Sequence, residues 1–306
     1  MNHSTGKHRL SICVGDDVEL PLLVVRGERG GPLLAVSAGV HGDEYEGVQA
    51  IFEAFELLDP AQMSGTLLAV PVVNYAAHRA CSRNNPADDL NLARVFPGDS
   101  QGTITQRIAH AFAHEVIAKA DFYLDLHSGG IRYEMPPMAG YYAADARGGE
   151  AAEAFGAPVI WGHTVIEPGR TISFARERGI PFLYTEARGA GRIHPDDLRM
   201  MRQGILNLLR HLGILAGKVT RGMKPRRLFG AGNTDDGLAA GAGGFLMTDV
   251  KPLDRVLAGE RLGRLVDSHG RLLEEYFAQR DATIGLVRRM PAVSKGDTLF
   301  LLAEEQ

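Results

Sequence analysis

The segment Leu33 to Val40 constrains this chain more than any other, because it is an almost unbroken apolar run of strand length. A strand with one wet face alternates apolar and polar residues, whereas a strand covered on both faces does not. The run therefore belongs in a sheet with helices above and below it. Leu22 to Val25, Thr66 to Val73, Phe122 to Leu126 and Phe182 to Thr185 read as companion strands. Between them, Glu46 to Leu58, Thr103 to Ala120, Thr171 to Arg178 and Asp196 to Leu212 read as helices. In Thr103 to Ala120 the residues Ile104, Ile108, Ala111, Phe112 and Val116 recur at helical spacing, and Leu198, Met201, Ile205, Leu208 and Leu212 form a second such stripe. This alternation predicts an α/β fold with a mixed, largely parallel central sheet flanked by helices.

After about Lys218 the pattern changes. Gly244 to Met247, Glu260 to Val266, Ala282 to Arg289 and Leu299 to Ala303 read as short strands separated by turns rich in Gly, Pro and Asp. Two domains are expected: an α/β domain over 1–218 and a β-rich C-terminal domain over 219–306. With 306 residues, 45% of them hydrophobic, the chain buries a core without covalent staples. Its two cysteines, Cys13 and Cys81, make neither a disulfide framework nor a thiolate metal cluster. A net charge of −4 and the lack of a basic block argue against nucleic acid and anionic membranes as partners. The longest near-apolar stretch, Pro32 to Val40, is too short to span a bilayer, and the first residues lack the apolar region of a secretory signal. A cytoplasmic location is expected.

Open α/β sheets carry their sites beyond the carboxyl ends of the strands. The run Leu33 to Val40 leads into His41-Gly42-Asp43-Glu44, Phe122 to Leu126 leads into His127-Ser128-Gly129, and Phe182 to Thr185 leads into Glu186-Ala187-Arg188-Gly189. Two histidines and one glutamate are a recurrent ligand set for catalytic zinc. Singly, His41 reads equally as a polar loop residue, and Glu44 as a first-turn carboxylate favoured by a helix dipole. Their conjunction with His127 at a second strand end points to a metal site. Asp125, two residues before His127 and on the same side of the strand, suits a carboxylate that orients a ligand histidine. Glu186 suits a general base. Arg83 and Arg94 lie in a segment of little periodicity that ends in Pro97-Gly98, and guanidinium groups there suit an anionic ligand or an oxyanion.

Taken together these residues resemble the succinylglutamate desuccinylase/aspartoacylase family, a branch of the zinc carboxypeptidase superfamily. The motifs that carry the resemblance are G-V-H-G-D-E at Gly39 to Glu44 and R-x-x-P-x-D-x-L-N-L-x-R-V-F-P-G at Arg83 to Gly98, followed by D-L-H-S-G at Asp125 to Gly129 and T-E at Thr185-Glu186. The likeness covers most of residues 15 to 215. It implies a zinc-carboxypeptidase-like catalytic domain followed by a small lipoyl-like β-barrel. It implies one Zn2+ per chain on His41, Glu44 and His127. Glu186 would be the base that deprotonates the metal-bound water, and Arg83 would polarise the scissile carbonyl. Arg94 would grip a substrate carboxylate, with Asn91 a second candidate substrate-binding residue in the same loop.

One departure bears on specificity. The family usually has Asn before this Arg, and here the pair is Ala93-Arg94. Arg188 and Arg192, after Glu186, are spare cations that read more simply as solvent-facing loop residues. The implied activity is hydrolysis of the amide bond of an N-acyl amino acid or related small amide, with a small acylated molecule as the partner. The alternatives are a zinc carboxypeptidase or esterase, and a non-catalytic small-molecule binder on a degenerate hydrolase scaffold. Serine hydrolase chemistry is disfavoured, since the G-x-S-x-G at Gly98 to Gly102 follows a loop and not a strand run. Lys251 and Lys295 lack the flanks of a carrier hairpin, so a structural tail is expected. An exposed barrel edge would favour a homo-oligomer.

Overall fold

All five strand-like runs of the first two-thirds enter one sheet in the computed structural model, which describes residues 4–15, 18–220, 222, 224–230 and 232–305. The first part of the chain runs β1 (Gly6–Val14), β2 (Val18–Arg26), β3 (Arg29–Ser37), α1 (Glu46–Leu57), β4 (Ser64–Val70), α2 (Tyr75–Arg79), α3 (Ile104–Glu115) and β5 (Phe122–Ser128). It continues with β6 (Tyr133–Glu134), β7 (Met138–Tyr142), α4 (Ala146–Phe155), β8 (Val159–His163), α5 (Thr171–Glu177), β9 (Phe182–Ala187) and α6 (Pro195–His211). The strands lie in the order β1-β2-β4-β3-β5-β9-β7-β8. The pairs β4–β3, β3–β5, β5–β9 and β7–β8 are parallel, while β1–β2, β2–β4 and β9–β7 are antiparallel. The fold is thus mixed α/β, parallel at its centre.

Successive residues of β2 and β3 go to opposite layers, as a pleated strand requires. Val25, Leu34 and Val36 pack under α1, α4 and α6 with Ile51, Phe55, Phe155, Ile205 and Leu208. Val24 and Ala35 pack on the other face with Ile108, Phe112, Ile172 and Phe174 from α3 and α5. Both faces are covered, which is why the run at Leu33 carries almost no polar side chain. Thr103 and Gln106 close a reciprocal cap at the start of α3.

At three strand ends the boundary differs from the sequence expectation in a way that moves a candidate site residue. β3 stops at Ser37 rather than Val40, because Gly39 takes a left-handed φ of 60° and turns the chain out of the sheet. β5 and β9 instead run past Leu126 and Thr185, to Ser128 and Ala187. His127 and Glu186 are therefore strand residues, and they are direct partners in the parallel β5–β9 register. The unit β7–α4–β8 has no counterpart in the sequence reading. Its helix holds Gly148 and Gly149, which are poor helix formers, and few large apolar residues to mark a stripe.

The rest of the chain is β-rich: β10 (Arg226–Phe229), β11 (Leu238–Ala239), β12 (Gly244–Thr248), β13 (Arg255–Val256), β14 (Arg261–Val266), β15 (Leu272–Phe277), β16 (Ala282–Arg288), β17 (Ala292–Val293) and β18 (Thr298–Glu305). β10 joins β8 in parallel and β18 pairs with β10, so the main sheet continues into this part through β18, β16 and β13. β15, β14, β12 and β17 form a second sheet over a core of its own that includes Leu246, Leu262, Leu265, Ile284 and Phe300. Trp161 of β8 is buried at the junction, where Gly285 of β16 leaves room for its ring. Among the described residues, no helix is long and apolar enough to cross a membrane.

Candidate metal centre

Two neighbouring segments bring His41, Glu44 and His127 to one point. The loop after β3 carries His41 and Glu44 into α1, and β5 carries His127 in from the neighbouring strand. Gly42 allows the loop to lie flat on α2, since a Cβ there would fall inside the backbone of Ala77 and His78. Gly42→Ala is expected to cost about 1–3 kcal/mol of stability or more. Chemical denaturation beside the wild type checks this.

Glu44 is the centre of the cluster and is buried with His41. Its Oε1 lies 2.7 Å from His41 Nδ1 and its Oε2 lies 2.8 Å from His127 Nδ1. Oε2 also accepts the Ser128 backbone N–H at 3.2 Å, and Arg83 Nη1 donates to Oε1 at 3.3 Å. The far nitrogens are held too. His41 Nε2 is 3.1 Å from Asn91 Oδ1, and His127 Nε2 is 3.0 Å from Asp125 Oδ2. Asn91 Oδ1 accepts the Ala93 N–H at 2.9 Å, which fixes that atom as oxygen. Asp125 accepts from Ser37 Oγ at 2.6 Å and from Thr171 Oγ1.

These partners set the tautomers. Asn91 Oδ1 and a carboxylate oxygen of Asp125 only accept, so each neutral imidazole carries its hydrogen on Nε2. In neutral rings both Nδ1 lone pairs would face oxygens of one carboxylate, acceptor against acceptor, so the cluster takes up positive charge, either as a proton on one ring or as a shared cation. Burial, with the Arg83 charge, lowers His41 to about 4, so this ring does not supply that charge at neutral pH. Against its burial, the Asp125 and Glu44 carboxylates raise His127 well above its ordinary value. Against its own burial, the two imidazoles hold Glu44 far below the usual carboxylate range. The three ligand atoms lie within 4.8 Å of one another. Two imidazole nitrogens and a carboxylate, each oriented by an outer partner, fit a zinc ion.

Glu186 stands beside this cluster on β9, with Oε2 buried and free of hydrogen bonds among the described residues. Burial and then the Glu44 charge push it up to about 8. The cavity in front is lined by His41, His127, Glu186, Arg83 and Arg94. Asn91 is not on that wall: its side chain caps the 3-10 turn Leu92–Arg94 and points at His41 from behind. Ala93 is among the residues that line the cavity. Arg94 is held side-on by Asp235, with Nε–Oδ2 at 3.1 Å and Nη2–Oδ1 at 3.2 Å. Arg188 turns away to Asp197 and His194, and Arg192 bonds His194. Neither lines the cavity.

Sequence reasoning missed Arg170, His163 and Tyr184, which line the same cavity. Arg170 donates to Asn233 Oδ1 at 2.7 Å, so two residues of the C-terminal part, Asn233 and Asp235, reach the arginines at the cavity. Arg170 and His163 follow no strand run that the sequence reading recognised. Tyr184 had one available signal, since it lies two residues before Glu186 and so on the same strand face.

Comparison with known proteins gives a consistent result. The family profile described as the succinylglutamate desuccinylase/aspartoacylase catalytic domain matches residues 30–212. An N-alpha-acetyl-L-2,4-diaminobutyric acid deacetylase from Halomonas elongata is 34% identical over 297 residues, which cover 94% of this chain and 86% of that protein. The crystal structure of a succinylglutamate desuccinylase/aspartoacylase from Rhodobacter sphaeroides is similar with a TM-score of 0.88 and 29% identity, over 99% of this chain and 96% of that one. The product-bound ectoine utilization protein EutE (DoeB) from Ruegeria pomeroyi is similar with a TM-score of 0.89 and 28% identity, over 98% of this chain and 96% of that one.

Proposed function

The chain belongs to the succinylglutamate desuccinylase/aspartoacylase family, and from that premise we propose that it is a zinc-dependent hydrolase cleaving the amide bond of an N-acyl amino acid or a related small amide. One observation carries the reading: two imidazole nitrogens and a carboxylate oxygen lie within 4.8 Å of one another, beside a buried carboxylate oxygen of Glu186 that has no hydrogen bond among the described residues. His41, Glu44 and His127 would hold the zinc, which supplies Lewis acidity to the site when bound. Glu186 takes the proton of the attacking water at Oε2 and returns it to the departing amine. Arg83 brings a guanidinium to the cavity and stabilises negative charge that grows on the carbonyl oxygen. Arg94, aimed by Asp235, and Arg170 beside it supply the cationic wall for a substrate carboxylate. We assign this chemistry to residues 1–218. Residues 219–306 are read as a small lipoyl-like barrel that shapes the cavity through Asn233 and Asp235.

The Halomonas relative is named for deacetylating N-alpha-acetyl-L-2,4-diaminobutyric acid, which makes short N-acetyl amino acids the first substrates to try. The zinc-loaded chain should be screened on N-acetyl and N-succinyl amino acids, dipeptides and small esters. Hydrolysis of acylated amino acids is expected. Preferential cleavage of dipeptides or esters would favour the carboxypeptidase or esterase reading. Stoichiometric zinc without hydrolysis of any of them would favour a binding protein.

We read Asn91, expected from its loop to contact substrate, as an outer partner of His41. Behind His41 it orients a ligand, and Asn91→Ala is expected to lower zinc affinity by about 10–100-fold. With zinc saturating, KM should move by less than about 3-fold, since an outer metal partner does not touch substrate. Zinc competition against a chelating dye and steady-state kinetics measure the two effects.

A further inference from the structure

One stretch of the cavity wall is made by a tyrosine and a histidine that the reading above leaves without a task. Tyr184 Oη lies 2.5 Å from His163 Nε2, and His163 Nδ1 lies 3.2 Å from the carbonyl oxygen of Gly230. A carbonyl oxygen only accepts, so Nδ1 carries the hydrogen and Nε2 of the neutral ring accepts. The phenol proton of Tyr184 is thereby spent on His163. What the Tyr184 oxygen offers the cavity is its lone pairs, made richer by the bond it donates.

The pair is also held rigidly. Trp161 stacks on the His163 ring at a centroid distance of 5.4 Å and an interplanar angle of 26°. A Cβ on Gly232 would collide with His163, and a Cβ on Gly140 would collide with the Tyr184 ring. The side chains are locked in place, so the direction of the phenol proton is fixed as well.

The same cavity holds the guanidinium groups of Arg83, Arg94 and Arg170 together with the carboxylate of Glu167. It therefore offers donors for a carboxylate and, separately, acceptors for a cation. We propose that Tyr184, with its proton held by His163, is a specificity-determining residue that accepts a hydrogen bond from a free ammonium group on the amino-acid half of the substrate. The proposal rests on the deacylase reading and deepens it. An ammonium group meets lone pairs, whereas a side-chain carboxylate at the same place meets acceptor against acceptor. The preference therefore runs from substrates with a second amine, through neutral ones, to acidic ones. His163 is a positioning residue: it acts by keeping the phenol from donating.

The test uses the full zinc-loaded chain and three probes: Nα-acetyl-2,4-diaminobutyrate, Nα-acetyl-2-aminobutyrate and Nα-acetylaspartate. Wild-type kcat/KM should favour the first over the second by about 10- to 100-fold, the scale of a hydrogen bond to a charged group. The third should be poorest. In Tyr184→Phe the ratio of the first to the second should fall to within about 3-fold. In His163→Phe the phenol is free to donate, and the acidic probe should gain relative to the neutral one. His163→Gln, whose carbonyl oxygen can take the phenol proton, should restore the original order. A wild-type ratio near one, or equal losses on all three probes in Tyr184→Phe, overturns the proposal and leaves the deacylase reading standing. If no probe is hydrolysed, that reading falls instead. Calorimetric binding of the same probes to zinc-loaded Glu186→Gln then decides the proposal alone, and equal affinity for the first two overturns it.

Discussion

Glu186→Gln should retain one bound zinc and lose about 10³-fold in kcat, within the range that general acid–base groups contribute. The amide copies the shape of the carboxylate but cannot take a proton, so folding and metal content should stay close to wild type. The environment of the residue supports the role. Its Oε2 is buried without a partner among the described residues, which is costly for a structural carboxylate and useful for one that must receive a proton. The pH dependence has a definite sign. Burial and the Glu44 charge push Glu186 up to about 8 from an ordinary 4.5, and a bound dication pulls the other way. A base acts only when deprotonated. Thus kcat/KM of the zinc-loaded wild type should fall by about tenfold per pH unit on the acid side, with a midpoint between 4.5 and 8. Near-normal turnover in the Gln variant would remove Glu186 from the chemistry.

Glu44→Gln should have the other large effect, and through a different route. The wild-type carboxylate meets both imidazoles, one on each oxygen. An amide keeps one acceptor and places an NH2 group against the other imidazole, and it removes the negative charge between the rings. Zinc affinity should fall by more than ~100-fold, the upper end of what losing an outer partner costs, and turnover should be lost with the metal. Metal analysis after dialysis against micromolar zinc separates the two variants: Glu186→Gln keeps one ion per chain and Glu44→Gln keeps none. Full zinc retention in Glu44→Gln would show that His41, Glu44 and His127 are not the ligand set.

The candidate ligands and the candidate base were legible in the sequence because each follows a strand that is plainly apolar. The same patterning placed those residues just past the strands, yet His127 and Glu186 lie within them. Hydrophobicity ends where a strand reaches the site, whereas backbone pairing continues, and only the first of these is written in residue type. The placement of Asn91 was not legible for a related reason: its own side chain caps the turn at Leu92–Arg94, and its Oδ1 meets His41. Tyr184 and His163 meet across β7, which lies between β9 and β8 and leaves room for the Tyr184 ring at Gly140, and no local pattern encodes that order. Arg94 and Asp235 are 141 positions apart, and their pairing depends on how the tail folds back.

The pairing of His127 with Glu186 across β5 and β9 has a mechanical consequence. The gap between the two side chains is set by ladder geometry rather than by a loop that drifts. Sliding either strand by one position would exchange Glu186 for Thr185 or Ala187 and turn the carboxylate to the opposite side of the sheet. The loops around this pocket can therefore vary in length, but a single-residue insertion or deletion in either strand upstream of the pair would separate the proposed base from the proposed metal ligand.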